Sequence, residues 1–241
     1  MFRDACEKNR ESIYGIRAFS QVGINRAQNG LGSGFTIAPG IIMTVAHLVH
    51  LDNNNLTSPI HSNFEVIRCP DVGQKLETAN FIAEDPTHDL ALLKINNPRS
   101  QKFLTLEETL VPRGTSCGSL GFPLGEIHDT PQGSTLTLIE RFQGSSISAY
   151  HPDMTPSGKC IDIYEVDSLM YQGSSGCPGF LPNSKVVGMQ SRVLLKTKPR
   201  IGKKGKKGQT GTIDPNNQYA ISIWVPSQVI IKFARENGIV I

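Results

Sequence analysis

Three side chains, in the chain order His47, Asp89 and Ser175, have the types needed for nucleophilic acyl transfer. A serine hydroxyl is a weak nucleophile at neutral pH. It needs an imidazole to take its proton, and the imidazole needs a carboxylate that fixes its tautomer and stabilises the imidazolium. Ser175 lies in Gly173-Ser174-Ser175-Gly176-Cys177-Pro178, a glycine-flanked turn that would hold one serine out of regular structure. His47 closes Thr44-Val45-Ala46-His47, and Asp89 opens Asp89-Leu90-Ala91-Leu92-Leu93. The chemistry these residues could do is hydrolysis of a peptide or ester bond through an acyl-enzyme.

The elements around them read as short strands. Gly34–Ile37, Ile41–Thr44, Phe64–Ile67, Ala91–Ile95, Thr135–Ile139, Ile161–Val166, Val186–Met189 and Tyr219–Ile223 are rich in β-branched residues, and Gly, Pro, Asn or Asp clusters separate most of them. That pattern predicts an all-β barrel or sandwich, not an alternating βα fold. A short helix is expected after His47. A second covers Pro226 to Gly238, with Ser227 as its N-cap, Gly238 as its stop, and Val229, Ile230 and Phe233 facing inward. The stretch Gly125–Gly133 reads as a loop.

A chain of 241 residues suffices for one all-β domain with a sizeable core. A net charge of +3 does not by itself imply a nucleic-acid or membrane partner. The charge is uneven: Lys196, Lys198, Arg200, Lys203, Lys204, Lys206 and Lys207 crowd one Gly/Lys-rich segment, without which the balance would be negative. This segment reads as a solvated surface loop. No signal-peptide h-region opens the chain and no run of about 18 apolar residues occurs, so no membrane span is expected. Five scattered cysteines, an odd number, argue against a secreted disulfide framework. The expectation is a cytoplasmic protein with reduced thiols.

His before Asp before Ser is the order of the chymotrypsin-type double barrel; α/β-hydrolases run Ser, acid, His, and subtilisins Asp, His, Ser. Cys177 also breaks the G-x-S-x-G elbow of the α/β-hydrolases. The chain resembles the chymotrypsin-like (trypsin-fold) serine proteases, and within them the HtrA/DegP-type protease domain. Gly32-Ser33-Gly34-Phe35-Thr36-Ile37 with Ile42-Met43-Thr44-Val45-Ala46-His47 is similar to that family's approach to its histidine. His88-Asp89-Leu90-Ala91-Leu92-Leu93-Lys94-Ile95 is similar to its acid motif. Gly121-Phe122-Pro123-Leu124-Gly125 and Asp167-Ser168-Leu169-Met170-Tyr171-Gln172-Gly173 resemble the stretches before its nucleophile. Val187-Gly188-Met189 and Val225-Pro226-Ser227 look like later landmarks, so the likeness runs over about residues 30 to 235.

The resemblance implies a chymotrypsin-like double six-stranded β-barrel with a C-terminal α-helix, one peptidase domain over 1–241. Its first barrel, about 1–110, would carry His47 and Asp89; its second, 111–241, would carry Ser175. It also implies an oxyanion hole at Gly173, Ser174 and Ser175, chiefly the N–H groups of Gly173 and Ser175. The primary pocket would have Leu169 as its base, with Met170 beside it and Ser191, Arg192 and Val193 as the opposite wall. An apolar base predicts an apolar side chain on the acyl side of the cut bond and disfavours Lys or Arg; Arg192 leaves an acidic preference open. Ser174 stands where secreted relatives of this fold carry an Asp that pairs with a new N-terminal amine. Control is therefore expected through loop order, an activating partner or a fused sensor. With Ile241 as the last residue, the expectation is a protease domain without PDZ.

No cofactor or metal is implied, and a polypeptide is the expected substrate. Cys177 is read as a packed residue. His50 and His61 are read as surface residues, His88 as structural and the lone Trp224 as core. Asp85 competes with Asp89 for the role of acid, and the Asp-Leu-Ala-Leu context favours Asp89. Two rival readings are a catalytically silent peptide-binding module on the same fold, and a binder of acidic partners or nucleic acid through Lys196–Lys207.

Overall fold

The structure is a computed structural model that describes residues 1–23, 26–71, 76–130, 133–154, 158–197 and 218–241. Six antiparallel strands close the first barrel: β1 (Ile13–Gly23), β2 (Arg26–Ala38), β3 (Ile41–Thr44), β4 (Asn63–Arg68), β5 (Glu77–Asp85) and β6 (Leu90–Ile95), in the order β1-β2-β3-β6-β5-β4. Pairing of β1 with β4, Ile16 opposite Val66, completes the ring. The second barrel uses β7 (Ser116–Gly121), β10 (Arg141–Met154), β11 (Cys160–Val166), β12 (Pro178–Phe180), β13 (Val186–Thr197) and β14 (Gln218–Pro226), in the order β10-β11-β14-β13-β12-β7. It closes through β7 and β10, Leu120 opposite Phe142. The expected all-β double barrel is what the chain forms.

Among the described residues closure leaves neither barrel with an unpaired edge strand, and each barrel strand alternates between the interior and the outside. Ile13, Tyr14, Ile16, Phe35, Ile42 and Leu92 are fully buried in the first half, and Tyr164, Phe180 and Trp224 in the second. In β3 and β6 nearly every residue is buried, because both faces are covered. Trp224 lies flat against the backbone of Gly179 in β12, and its indole N–H donates to Ser222 Oγ at 2.9 Å. A Cβ at Gly179 would overlap the Trp224 ring. Gly179→Ala is therefore expected to destabilise the fold by about 3 kcal/mol, the upper end for overpacking, measured as a lower urea midpoint at unchanged slope.

Two elements differ from the sequence reading. The stretch read as a loop at Gly125–Gly133 contains β8 (Glu126–Thr130), which pairs with β9 (Gly133–Thr137) as a two-stranded ribbon outside the barrels, Glu126 opposite Thr137. A first helix, α1 (Arg3–Asn9), also escaped the reading. It lies against the second barrel: the Phe2 ring sits 5.5 Å from Phe142 and 6.3 Å from Phe180, and the Asn9 amide donates to Ser184 O at 3.1 Å. The N-terminal residues thus pack on the half of the chain opposite to the one that follows them.

The helices after His47 and at the C-terminus form as expected, α2 (Ala46–Val49) and α3 (Ser227–Glu236). Ile230 and Phe233 are buried, with Val229 half-buried. Gly238 adopts φ of +76°, and the Gly238 and Ile239 N–H groups return to the carbonyls of Arg235 and Ala234, which ends the helix. Ser227 does not cap α3. It is already helical, Pro226 precedes it, and its hydroxyl donates instead to Glu107 O at 2.6 Å. That bond fastens the helix to the segment linking the barrels.

Candidate active site

His47 sits on α2, directly after β3, and Asp89 at the start of β6; β3 and β6 are neighbours, Thr44 opposite Ala91. Adjacent strands therefore deliver both side chains to one end of the first barrel. Asp89 adopts φ of +58°, a left-handed conformation that Asp tolerates better than most residues. Its carboxylate accepts three hydrogen bonds: from the His47 backbone N–H at 2.9 Å, from His47 Nδ1 at 2.9 Å through Oδ2, and from the Ser191 hydroxyl at 2.6 Å. A carboxylate only accepts, so Nδ1 carries hydrogen, and in the neutral ring Nε2 therefore keeps the lone pair. That is the tautomer a general base needs.

Burial favours the neutral His47 ring, but the charge of Asp89 and its hydrogen bond outweigh burial and raise the His47 pKa above its usual 6.5. The sign has two consequences. The charged pair stabilises the folded protein fully below the unfolded histidine pKa, and this contribution is lost as pH rises through the folded value. Base catalysis requires the neutral ring, so activity moves the opposite way. The acid limb of kcat/KM is expected to have its midpoint above pH 6.5, readable from a pH–rate profile on a peptide substrate.

Ser175 enters from the second barrel, in the turn before β12. Gly173 and Gly176 bracket it with φ of +89° and +87°. Side chains would not fit at either position: a Cβ at Gly173 would come within 2.5 Å of Phe122 O, and one at Gly176 would overlap Ser33 O. The Gln172 carbonyl accepts from the Leu124 N–H at 2.6 Å. In a trans peptide the following N–H points the other way, so the Gly173 N–H is directed away from Leu124. The Ser175 hydroxyl donates to Ser191 O at 3.4 Å, and Ser175 and His47 line one cleft of about 500 Å³.

Several sequence expectations are redrawn here. Ser174, grouped with the oxyanion donors, is turned inward: its N–H donates to Tyr171 O at 2.9 Å and its hydroxyl accepts from the Tyr171 N–H at 3.1 Å. Leu169 does not line the cleft. It is 57% exposed, and its backbone N–H and C=O face the Gln143 amide, whose O and NH₂ are assigned to bond them; the cavities it lines do not include His47. Met170, Ser191, Arg192 and Val193 do line the cleft. Arg192 is paired with Asp153 at 2.8 Å, so its charge is already answered. Ser191, expected only as a wall, is the third donor to Asp89; its place in an ordinary strand run offered no signal of that.

His50 and His61 are buried, not on the surface. His50 bridges Ser58 O at 2.6 Å and Glu84 Oε2 at 2.7 Å, which ties α2 to β5. Asp85 pairs with His88 and accepts from the Thr87 N–H at 2.9 Å, so it is occupied locally. Cys177 is buried, and burial pushes its thiol up to about 12, which keeps it neutral. The basic segment Lys196–Lys207, beyond Thr197, lies outside the described residues. No helix of the described residues is long and apolar enough to cross a membrane.

Two facing barrels with a histidine–aspartate pair on one and a glycine-bracketed serine on the other define the chymotrypsin-like class. The profile of the family described as "Trypsin-like peptidase domain" matches residues 32–189, and the chain belongs to that family. A protein named "Probable periplasmic serine endoprotease DegP-like" from Bartonella henselae is 30% identical over 173 residues, 71% of this chain and 29% of its own length. Its namesake from Brucella suis is 29% identical over 176 residues, with the same coverage. The chain thus spans under a third of the length of these relatives. Among solved structures, the Rv3671c protease from M. tuberculosis in its active form superposes with a TM-score of 0.66 at 18% identity, covering 98% of this chain and 85% of that one. It supports the fold.

Proposed function

We propose that this chain is a serine endopeptidase domain, one unit over residues 1–241, acting through His47, Asp89 and Ser175. The observation that carries the reading is the Asp89 carboxylate, held by three donors, one of them Nδ1 of a His47 that lines the same cleft as Ser175. His47 takes the Ser175 proton as the oxygen attacks the substrate carbonyl, then gives that proton to the leaving amine. The acyl-enzyme is hydrolysed by the same route with water as nucleophile. The developing oxyanion is received by the N–H groups of Gly173 and Ser175.

The acyl-side pocket is read as apolar, with Met170 and Val193 replacing Leu169 as its apolar surface. The pairing of Arg192 with Asp153 counts against a preference for acidic side chains. A reducing, cytoplasmic setting is read from the odd number of scattered cysteines, whereas the relatives are named periplasmic. The rival reading, a latent protease-fold module awaiting an activating partner, draws on one observation: the Ser175 hydroxyl bonds to Ser191 O.

The test is reaction with a fluorophosphonate probe and digestion of an unfolded protein. Phosphonylation mapped to Ser175, with cleavage after apolar residues, is the expected result. Folded protein that neither reacts nor cleaves would overturn the endopeptidase reading in favour of the latent one, and cleavage mainly after Lys or Arg would overturn the pocket assignment.

A further inference from the structure

We infer that Ser33, on β2 of the first barrel, is a positioning residue that holds the oxyanion turn of the second barrel in its productive orientation; this rests on the reading of Gly173 and Ser175 as oxyanion donors. Ser33 is fully buried and has a partner for each polar group. Its backbone N–H donates to Ser175 O at 2.8 Å, and its C=O accepts from the Thr44 hydroxyl at 2.7 Å. Its Oγ lies 3.0 Å from the Phe122 N and 2.9 Å from Gly173 O. An amide N–H can only donate, so Oγ accepts from Phe122 and its single hydrogen goes to the Gly173 carbonyl.

The direction of that hydrogen bond matters for the chemistry. Gly173 lies between two peptide planes. The preceding one is pinned by the Leu124 N–H on the Gln172 carbonyl, and the following one by Ser33 Oγ on the Gly173 carbonyl together with the Ser174 N–H on the Tyr171 carbonyl. Glycine at φ of +89° has little intrinsic preference for that conformation over others. Its N–H lies in the preceding plane and is aimed by the Leu124 bond, while the Ser33 bond on the following plane keeps Gly173 in this conformation and sets where Ser175 and its N–H stand relative to it. Ser33 also grips the Ser175 carbonyl through its N–H, so one residue fixes both ends of the Gly173–Ser175 turn. Thr44, three residues before His47, holds the Ser33 carbonyl in turn, and β2 thereby ties the base-bearing segment to the oxyanion turn.

Only a hydroxyl of this size satisfies both partners. The site is closed by Gly121 and Cys177: a Cβ at Gly121 would sit 2.9 Å from Ser33 Oγ. Removing the hydroxyl leaves the Gly173 C=O without this partner and the Phe122 N–H with only the Cys177 sulfur, so the turn loses the side-chain bond that fastens it to the first barrel.

The experiment compares wild type, Ser33→Ala and Ser33→Cys, with thermal unfolding to establish that each is folded. Three quantities are read: kcat and KM on a peptide substrate, affinity for a peptide boronate that forms the tetrahedral adduct, and affinity for the same peptide without the boronate. Ser33→Ala is expected to lose about 100-fold in kcat, with KM within about twofold and a parallel loss of boronate affinity. Affinity for the plain peptide should not change. Ser33→Cys, which keeps a weak donor on a somewhat larger atom, should fall between Ala and wild type, and it carries the test if Ser33→Ala does not fold. Unchanged kcat in either folded variant, or equal losses for plain peptide and boronate, would overturn the positioning role. An inert wild type would instead overturn the endopeptidase reading on which the inference stands.

Discussion

Ser175→Ala is expected to lower kcat on the order of 10⁶-fold while leaving peptide affinity and folding intact. The hydroxyl is the proposed nucleophile, and the neighbouring serine cannot replace it: Ser174 is buried with its Oγ engaged by the Tyr171 N–H. Loss of the Ser175 hydroxyl breaks one long hydrogen bond, 3.4 Å to Ser191 O, so the effect on stability should be about 1 kcal/mol or less. Residual hydrolysis above the rate in water is expected, because the Gly173 and Ser175 N–H groups remain in place. The measurement is single-turnover cleavage of a peptide alongside calorimetric titration with the same peptide. Retention of more than about a tenth of the rate would remove Ser175 from the mechanism, since the loss of a nucleophile cannot be that small.

Asp89→Asn should cost about 10⁴-fold in kcat at neutral pH, with little change in KM. The carboxylate now accepts from the His47 N–H, His47 Nδ1–H and the Ser191 hydroxyl. An amide offers one oxygen and brings an NH₂ donor into a site where the backbone N–H of His47 can only donate and its Nδ1 now does so. The arrangement that relieves this conflict moves the His47 proton from Nδ1 to Nε2, which puts hydrogen where the lone pair must be. The charge that raises the His47 pKa is lost as well, so the acid limb of the residual activity should move to lower pH than in wild type. Nitrogen-15 NMR of the His47 ring reports the tautomer directly. A variant that retains Nδ1–H and loses less than about tenfold would show that Asp89 does not orient the base.

The double barrel was legible because its cores are built from short β-branched runs, such as Ile41–Thr44 in β3 and Ile161–Val166 in β11. β10 was not legible. Its sequence RFQGSSISAYHPDM carries glycine, serines and a proline, and only its pairing with β7 on one side and β11 on the other makes it a strand. β8 was missed for a similar reason, whereas its partner β9 overlaps the strand read at Thr135–Ile139: the residues of β8 sit among the Gly, Pro and Asp that signal a loop, and backbone pairing overrides that signal. α1 is too short to show a hydrophobic period, and it is held by the contact of Phe2 with aromatic rings from residues 142 and 180.

By itself the sequence determined what local chemistry can specify. A serine between residues that must take positive φ announces a sharp turn, because only glycine adopts that conformation without strain, and the order of His47, Asp89 and Ser175 restricts the architectures able to join them. Tertiary structure alone decided which way the remaining side chains point. Leu169 was placed in the cleft by counting from the nucleophile, yet the bonds from Gln143 to its backbone hold it elsewhere. Ser191 and Ser33 look like any serine in a strand, and their partners lie 102 and 140 residues away in the chain. Hydrogen bonds across such separations depend on how two closed barrels abut, and no local pattern of residues encodes that.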